Sequence, residues 1–181
     1  MSEFKSVMLD LETMGKRAGC VILSIGAVEF DPKLGLGREF YQVISMESCK
    51  AVGLHVDPST MEWWEKQSPE ARQVLEDARS VDAMPLKDAL SKFNDWLSDC
   101  SGHKVFGNGS DFDNAIMYAA YAAVNIPQGW GPYNSRCYRT LKGFFPQVKA
   151  VRGGTHHNAL DDAKTQALHA IQLAQLVPLA W

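Results

Sequence analysis

The sequence predicts an α/β fold, one mixed β-sheet covered by helices. Strand-like segments separated by short turns open the chain, and helix-like and strand-like segments then alternate. The length of 181 residues suits one compact domain. A single domain over residues 1–181 is therefore expected, with little room for a second.

The first strand shows itself by alternation: Val7, Leu9 and Leu11 interleave with Met8, Asp10 and Glu12. Apolar runs over residues 20–30 and 38–44 flank a turn region holding Asp31, Pro32, Gly35 and Gly37, which predicts an antiparallel meander. Helices are expected over 58–67, where Pro58 suits a first turn, and over 69–79. A clearer one covers 85–100, with Leu86, Ala89, Leu90, Phe93, Leu97 and Cys100 as its apolar stripe. Residues 103–107 read as a short strand. Residues 111–124 read as a helix with Phe112, Ala115, Ile116, Ala119, Ala120 and Ala123 on one face. After a Gly/Pro-rich loop at 127–132 come a short strand around Tyr133 and a helix over 138–145. The last helix, about 159–177, turns Leu160, Ala163, Ala167, Ala170, Ile171, Ala174 and Val177 inward.

Composition narrows the function. Apolar residues make up 46% and charged residues 22%, enough for a sizeable core. With 18 Lys plus Arg against 21 Asp plus Glu, the net charge of -3 argues against gripping nucleic acid by bulk positive charge. A local acidic site neutralised by metal ions stays open. Cys20, Cys49, Cys100 and Cys137 are widely spaced without a C-x-x-C pair, which disfavours a cysteine zinc site and reads as free thiols in a reducing compartment. No signal peptide and no bilayer-length apolar run is present, so the expected location is cytoplasmic and no membrane partner is expected.

Three acidic motifs carry chemistry. Asp10 and Glu12 lie at i and i+2 of a strand, so both point to one face with Cα atoms roughly 6.5 Å apart. Two carboxylates inside an apolar strand repel unless a hard cation such as Mg²⁺ or Mn²⁺ joins them. An edge strand with a solvated face explains the pair equally well. Asp113 opens a helix and, in isolation, reads as the capping-box partner of Ser110, with Asp111 complementing the helix dipole. His157 precedes the last helix, where Asn158 and Asp161 have capping spacing, and Asp162 lies about 100° further round, bordering the buried stripe.

Taken in order, Leu9-Asp10-Leu11-Glu12-Thr13, Asn108-Gly109-Ser110-Asp111-Phe112-Asp113 and His157 through Asp162 resemble the DEDDh family of 3'-5' exonucleases. The family's H-x4-D pattern selects Asp162 over Asp161, and its phenylalanine-aspartate pair selects Asp113 over Asp111. Asp57-x-x-Thr60-x-x-Trp63-Trp64, Arg139-Thr140-Leu141-Lys142 and the run from His157 to Lys164 resemble the branch of phage exonuclease A and a mycobacterial-type exoribonuclease. The second motif departs from the family by opening with Asn108-Gly109 where many relatives place His-Asn, which leaves the substrate open.

The resemblance implies a ribonuclease H-like fold, with a five-stranded mixed sheet whose first three strands are antiparallel. It implies hydrolysis of DNA or RNA from a free 3' end by two divalent metal ions, Mg²⁺ or Mn²⁺. Asp10, Glu12, Asp113 and Asp162 would be the metal ligands and His157 the general base. Thr13 and Met14 would meet the terminal nucleotide, Met14 as a wedge or as a core-packing turn residue. Of Trp63 and Trp64 one is expected inside and one free to stack on a base, Trp64 being the selected contact. Arg139 is the selected phosphate contact among the surrounding cations. Many relatives are dimers, which leaves a homodimer open, although no segment of the sequence displays an obvious interface. A catalytically silent binding module is the alternative. A zinc hydrolase built on His156 and His157 is disfavoured, because neighbouring side chains on an extended segment point apart and no H-E-x-x-H helix exists.

Overall fold

The computed structural model describes residues 3–98 and 103–176. Its sheet has the order β3-β2-β1-β4-β5, with β1 (Ser6–Thr13) at the centre, β2 (Ile22–Asp31) and β3 (Gly35–Val43) on one side, and β4 (Lys104–Gly107) and β5 (Ser135–Cys137) on the other. The first three strands pair antiparallel, and β1-β4 and β4-β5 pair parallel. The opening meander and the mixed sheet thus follow the expected pattern.

Alternation along β1 separates two apolar clusters. Val7, Leu9 and Leu11 join the larger one, with α3 (Pro69–Arg79), α4 (Leu86–Ser98) and α5 (Asp113–Ala123). Met8 faces the other way, into a smaller cluster with Ala163, Ala167 and Ala170 of α7 (Ala159–Ala174) and Tyr138 of α6 (Tyr138–Gly143). Asp10 and Glu12 follow Met8 at two-residue spacing, so they lie under α7. α2 spans Pro58–Glu65 and takes its N-cap from Asp57, whose side chain accepts from the Ser59 amide.

Several boundaries differ from expectation. A short helix, α1 (Met46–Ala51), forms where none was expected, capped by Ser45, whose hydroxyl accepts from the Ser48 amide. Residues Pro132–Asn134 form a 3-10 turn, and the edge strand begins only at Ser135. The buried face of α5 holds Asp113, Ile116, Met117, Ala120 and Tyr121, while Ala123 is exposed. Met117 and Tyr121 remove more apolar surface from water than the alanine stripe would, which turns the helix away from the expected face. In α7, Ala163, Ala167 and Ala170 are buried as expected, but Leu160, Ile171 and Ala174 are half-buried, and Thr165, Gln166 and His169 share the inner face. The expected helix ends at Cys100 and Val177 lie outside the described residues.

Candidate active site

Asp10 and Glu12 stand on the central strand, opposite Gly26 and Ser24 of β2. The solvated edge-strand explanation fails: β1 is the central strand, pairing with β2 along its length and with β4 over residues 6–8, and beyond that pairing Glu12 is still only 6% exposed. Gly26 explains how a third acid reaches them. A Cβ there would run into the backbone of Ala159 and Leu160, so only glycine lets the first turn of α7 lie directly on the sheet. Asp162 is carried in on that turn. One carboxylate oxygen each from Asp10, Glu12 and Asp162 come within 4.8 Å of one another.

Burial raises the pKa values of Asp10 and Glu12, and neighbouring like charges add to the effect. Burial, with Asp162 and Asp113 adding to it, pushes Glu12 up to about 8. Burial and the charges of Asp113 and Glu12 hold Asp10 well above the usual carboxylate range, opposed by the Gln166 amide, whose Nε2 donates to Asp10 Oδ1 at 2.6 Å. For Glu12 the linkage has a definite sign. A folded-state pKa above the ordinary 4.5 means the folded chain keeps a proton that the unfolded chain releases, so its stability contribution falls as pH rises from 4.5 toward 8. In chelator, the melting temperature should drop between about pH 5 and about pH 8.5, and added Mg²⁺ should restore it at the alkaline end. Glu12→Gln should flatten the slope, and an unchanged slope in that variant would contradict the assignment.

Asp113 is not a capping-box acid. The N-cap of α5 is Phe112, with no side-chain cap bond, and Asp113 turns inward at the first helical position. Its Oδ1 accepts from the Leu11 amide at 3.2 Å and its Oδ2 from the Asn108 amide at 2.6 Å. Gly107 permits this approach, since a Cβ there would sit 2.9 Å from the Asp113 Cβ. Burial pushes Asp113 up to about 6 against the downward pull of those amides and of Arg139. It stands beside Asp10 but outside the three-acid group, tying β1 to the start of α5.

The last motif folds as a set of turns around α7. Asn158 caps the helix, accepting from the Leu160 and Asp161 amides. Asp161 accepts from the Thr155 amide at 2.7 Å, so it is structural, as its capping position suggested. Asp162 accepts from the His157 amide through Oδ2 at 3.2 Å and from Arg152 Nη1 through Oδ1 at 2.8 Å. His157 adopts φ +62, a left-handed turn, rather than extended backbone. In consequence the His156 and His157 rings lie 3.7 Å apart instead of diverging, and both can approach Asp162. Burial, followed by His156, pulls the His157 pKa below its ordinary 6.5, which keeps the ring neutral at pH 7 and able to accept a proton.

Asp10, Glu12, His156, His157, Asp162 and Gln166 line a cleft of about 480 Å³, whose walls include Trp63, Lys142 and Arg152, while Asp113 lies buried behind it. Among the expected substrate contacts, Met14 is 2% exposed and packs in the core, as in the second of the two roles expected of it. Trp64 is 1% exposed and donates through Nε1 to the Thr13 carbonyl at 2.9 Å. Its rim reaches the cleft but leaves no face for a base. Trp63, 39% exposed, is the ring at the surface, edge-on to His157 with centroids 4.7 Å apart. Thr13 lines the cleft, its hydroxyl donating to the Gly15 carbonyl at 2.7 Å. Arg139 is exposed and lies over Gly109, close enough to Asp113 to act on its charge. Gln166 was missed, although its signal was there: it stands four residues after Asp162, one turn along the same helix face.

Residues 5–173 match the sequence profile of the 3'-5' exoribonuclease Rv2179c-like domain. The chain belongs to this family. The Rv2179c-like domain here is also 31% identical over 99 residues to the exodeoxyribonuclease of Enterobacteria phage T4. That match covers 50% of this chain and 42% of the phage enzyme, so the chain spans less than half the length of that relative. The nuclease domain of 3'hExo, a DEDDh family member bound to rAMP, shares the fold with a TM-score of 0.65 at 16% identity, over 96% of this chain and 94% of that one. The Mg²⁺- and Mn²⁺-bound form of S. pombe Pop2p does so with a TM-score of 0.61 at 14% identity, over 95% and 83% of the two chains. The five-stranded mixed sheet of the Rv2179c-like domain is the ribonuclease H-like arrangement. Its cluster of Asp10, Glu12 and Asp162, with Asp10 and Glu12 held above the usual carboxylate range by burial and by neighbouring charge, fits a hard divalent cation by donor type and charge.

Proposed function

We propose that the chain is a metal-dependent 3'-5' exonuclease, hydrolysing phosphodiester bonds of DNA or RNA from a free 3' end to release nucleoside 5'-monophosphates. One observation carries the reading: carboxylate oxygens of Asp10, Glu12 and Asp162 converge within 4.8 Å of one another, with His157 beside Asp162. Membership of a 3'-5' exoribonuclease domain family and the Mg²⁺ and Mn²⁺ of Pop2p support it. Asp10, Glu12 and Asp162 would hold two divalent ions, Mg²⁺ or Mn²⁺, with Asp113 acting from behind through water. Such ions supply an activated water and charge neutralisation at the phosphorus.

The chain's own groups do the rest. His157 takes the proton of the attacking water, as a neutral imidazole can near pH 7. Water oxygen bonds to phosphorus, the bond from phosphorus to the 3' oxygen of the penultimate nucleotide breaks, and that oxygen leaves with a proton from solvent. Thr13 and Trp63 border the terminal nucleotide, while Lys142, Arg139 and Arg152 face its phosphates. A silent binding module would have no use for buried acids that raise one another's pKa values. Free thiols at Cys20, Cys49 and Cys137 support a reducing, cytoplasmic location. Among the described residues no helix is long and apolar enough to cross a membrane. A homodimer belongs to the same proposal and is read by sedimentation.

The test is 5'-labelled RNA and DNA, single-stranded and with 3' overhangs, incubated with Mg²⁺, Mn²⁺, Zn²⁺ or chelator. A ladder shortening from the 3' end with Mg²⁺ or Mn²⁺ is expected, with none in chelator. Activity with Zn²⁺ alone would point instead to the trio of His156, His157 and Asp162.

A further inference from the structure

We infer that Arg152 couples metal binding to substrate binding: it neutralises Asp162 while the acids are bare, and turns to a substrate phosphate once a cation has taken its place. The inference rests on the nuclease reading of this site and adds a residue and a thermodynamic consequence to it. Arg152 Nη1 sits 2.8 Å from Oδ1 of Asp162, a member of the three-acid group, while the other oxygen of that carboxylate accepts from the His157 amide. The guanidinium side chain is 58% exposed and the acid 14%, so a surface cation reaches inward to a largely covered charge. Arg152 also lines the cleft where a phosphate would enter.

Its surroundings favour release. Residues 146–158 form no helix or strand, and Gly153 and Gly154 follow Arg152 directly, with Gly154 at φ +71. Between Asp113 and Asp161 the sequence has no acidic residue, yet it carries Arg136, Arg139, Lys142, Lys149 and Arg152. No carboxylate of that segment competes for the guanidinium. Burial lowers the Lys142 pKa, and Arg139 and Arg152 lower it further, so these cations lie within electrostatic reach of one another. Crowded positive charge at the mouth of an acidic cleft suits a polyanion.

The sign of the coupling follows from charge. A divalent cation on Asp10, Glu12 and Asp162 repels Arg152 and competes with it for Asp162. An incoming phosphate attracts Arg152 and relieves that repulsion. Metal must then bind more tightly with nucleotide present, and nucleotide more tightly with metal present, by one shared factor.

The experiment is calorimetric titration of the whole chain with Mn²⁺, alone and with saturating nucleoside 5'-monophosphate, in wild type, Arg152→Gln, Arg152→Lys and Lys33→Gln. Without nucleotide, Arg152→Gln should bind Mn²⁺ about fivefold more tightly, as expected when one partly covered ion pair is removed. The enhancement of Mn²⁺ binding by nucleotide should fall by about the same factor, and KM for an oligonucleotide should rise about tenfold. Arg152→Lys should keep most of the coupling. Lys33→Gln, an exposed change on the β2-β3 turn, should leave Mn²⁺ affinity unchanged. Unchanged or weaker Mn²⁺ binding by Arg152→Gln would overturn the inference while leaving the nuclease reading intact. A wild-type chain that binds no Mn²⁺ would refute the metal-dependent nuclease reading and this inference together.

Discussion

Asp10→Asn should abolish nucleotide release and, in the same protein, raise the melting temperature measured in chelator. Asp10 lies at the centre of the acidic group, and the charges of Asp113, Glu12 and Asp162 all act on it. Its carboxylate is held well above the ordinary range, which means that ionising it opposes folding. Asparagine keeps the shape and one carbonyl oxygen, so the Gln166 Nε2 contact at 2.6 Å can persist. What disappears is the negative charge that would hold a divalent ion. Loss of that charge should slow turnover roughly 10⁴-fold, the rate equivalent of the several kcal/mol that metal catalysis supplies. A gain in stability together with loss of activity is the mark of a residue placed for chemistry against the interest of folding. Activity within tenfold of wild type, assayed on end-labelled oligonucleotide with Mg²⁺, would remove Asp10 from the site.

Gly26→Ala should damage stability and catalysis together. The added methyl group would meet the backbone of Ala159 and Leu160, which cannot rotate aside as a side-chain tip could. α7 must therefore lift from the sheet or β2 must bend. Overpacking of this kind costs about 1–3 kcal/mol, readable as a lower urea midpoint. The catalytic loss should be larger in proportion. Asp162 and Gln166 ride on α7, while Asp10 and Glu12 ride on β1. A shift on the order of 1 Å between these two supports separates ligands that now lie within 4.8 Å, and misplacement of that size can cost about 10²-fold in rate. Mn²⁺ affinity should fall in parallel. Wild-type Mn²⁺ binding in a destabilised Gly26→Ala chain would show that the approach of α7 to β2 does not set the site.

The two predictions differ in what made them visible. Asp10 announces itself locally: an acid two residues from another acid, in a strand otherwise apolar, is an anomaly in a single short window. Asp162 borders the alanine stripe, but its selection over Asp161 rests on the family's H-x4-D pattern and not on its helical position alone. The meander, the α4 stripe and the alternation of β1 are legible because apolar periodicity of 2 or 3.6 is written directly along the chain. Gly26 carries only a weak local sign, a glycine within an apolar strand, and nothing nearby tells that a helix begun 133 residues later rests on it.

Adjacent residues mark the boundary most clearly. Trp63 and Trp64 have the same chemistry and neighbouring positions on one helix, so no local rule ranks them. Docking of α2 against the Thr13 carbonyl sends Trp64 inward and leaves Trp63 at the cleft. Met14 is drawn into the core by the same packing, and a left-handed residue at His157 brings two histidines together that an extended chain would part. Asp113 has the sequence of a helix cap and the structure of a buried brace.

Residue types and their order along the chain were enough to outline most of the elements and to mark Asp10 and Glu12 as unusual, because hydrophobic periodicity and carboxylate spacing are short-range properties; Asp113 and Asp162 were singled out by the family resemblance. Which side of a helix faces the cleft, which oxygens meet and which glycine allows it depend on where distant segments dock. That choice rests on burial summed over the whole core, a quantity no single window of sequence contains.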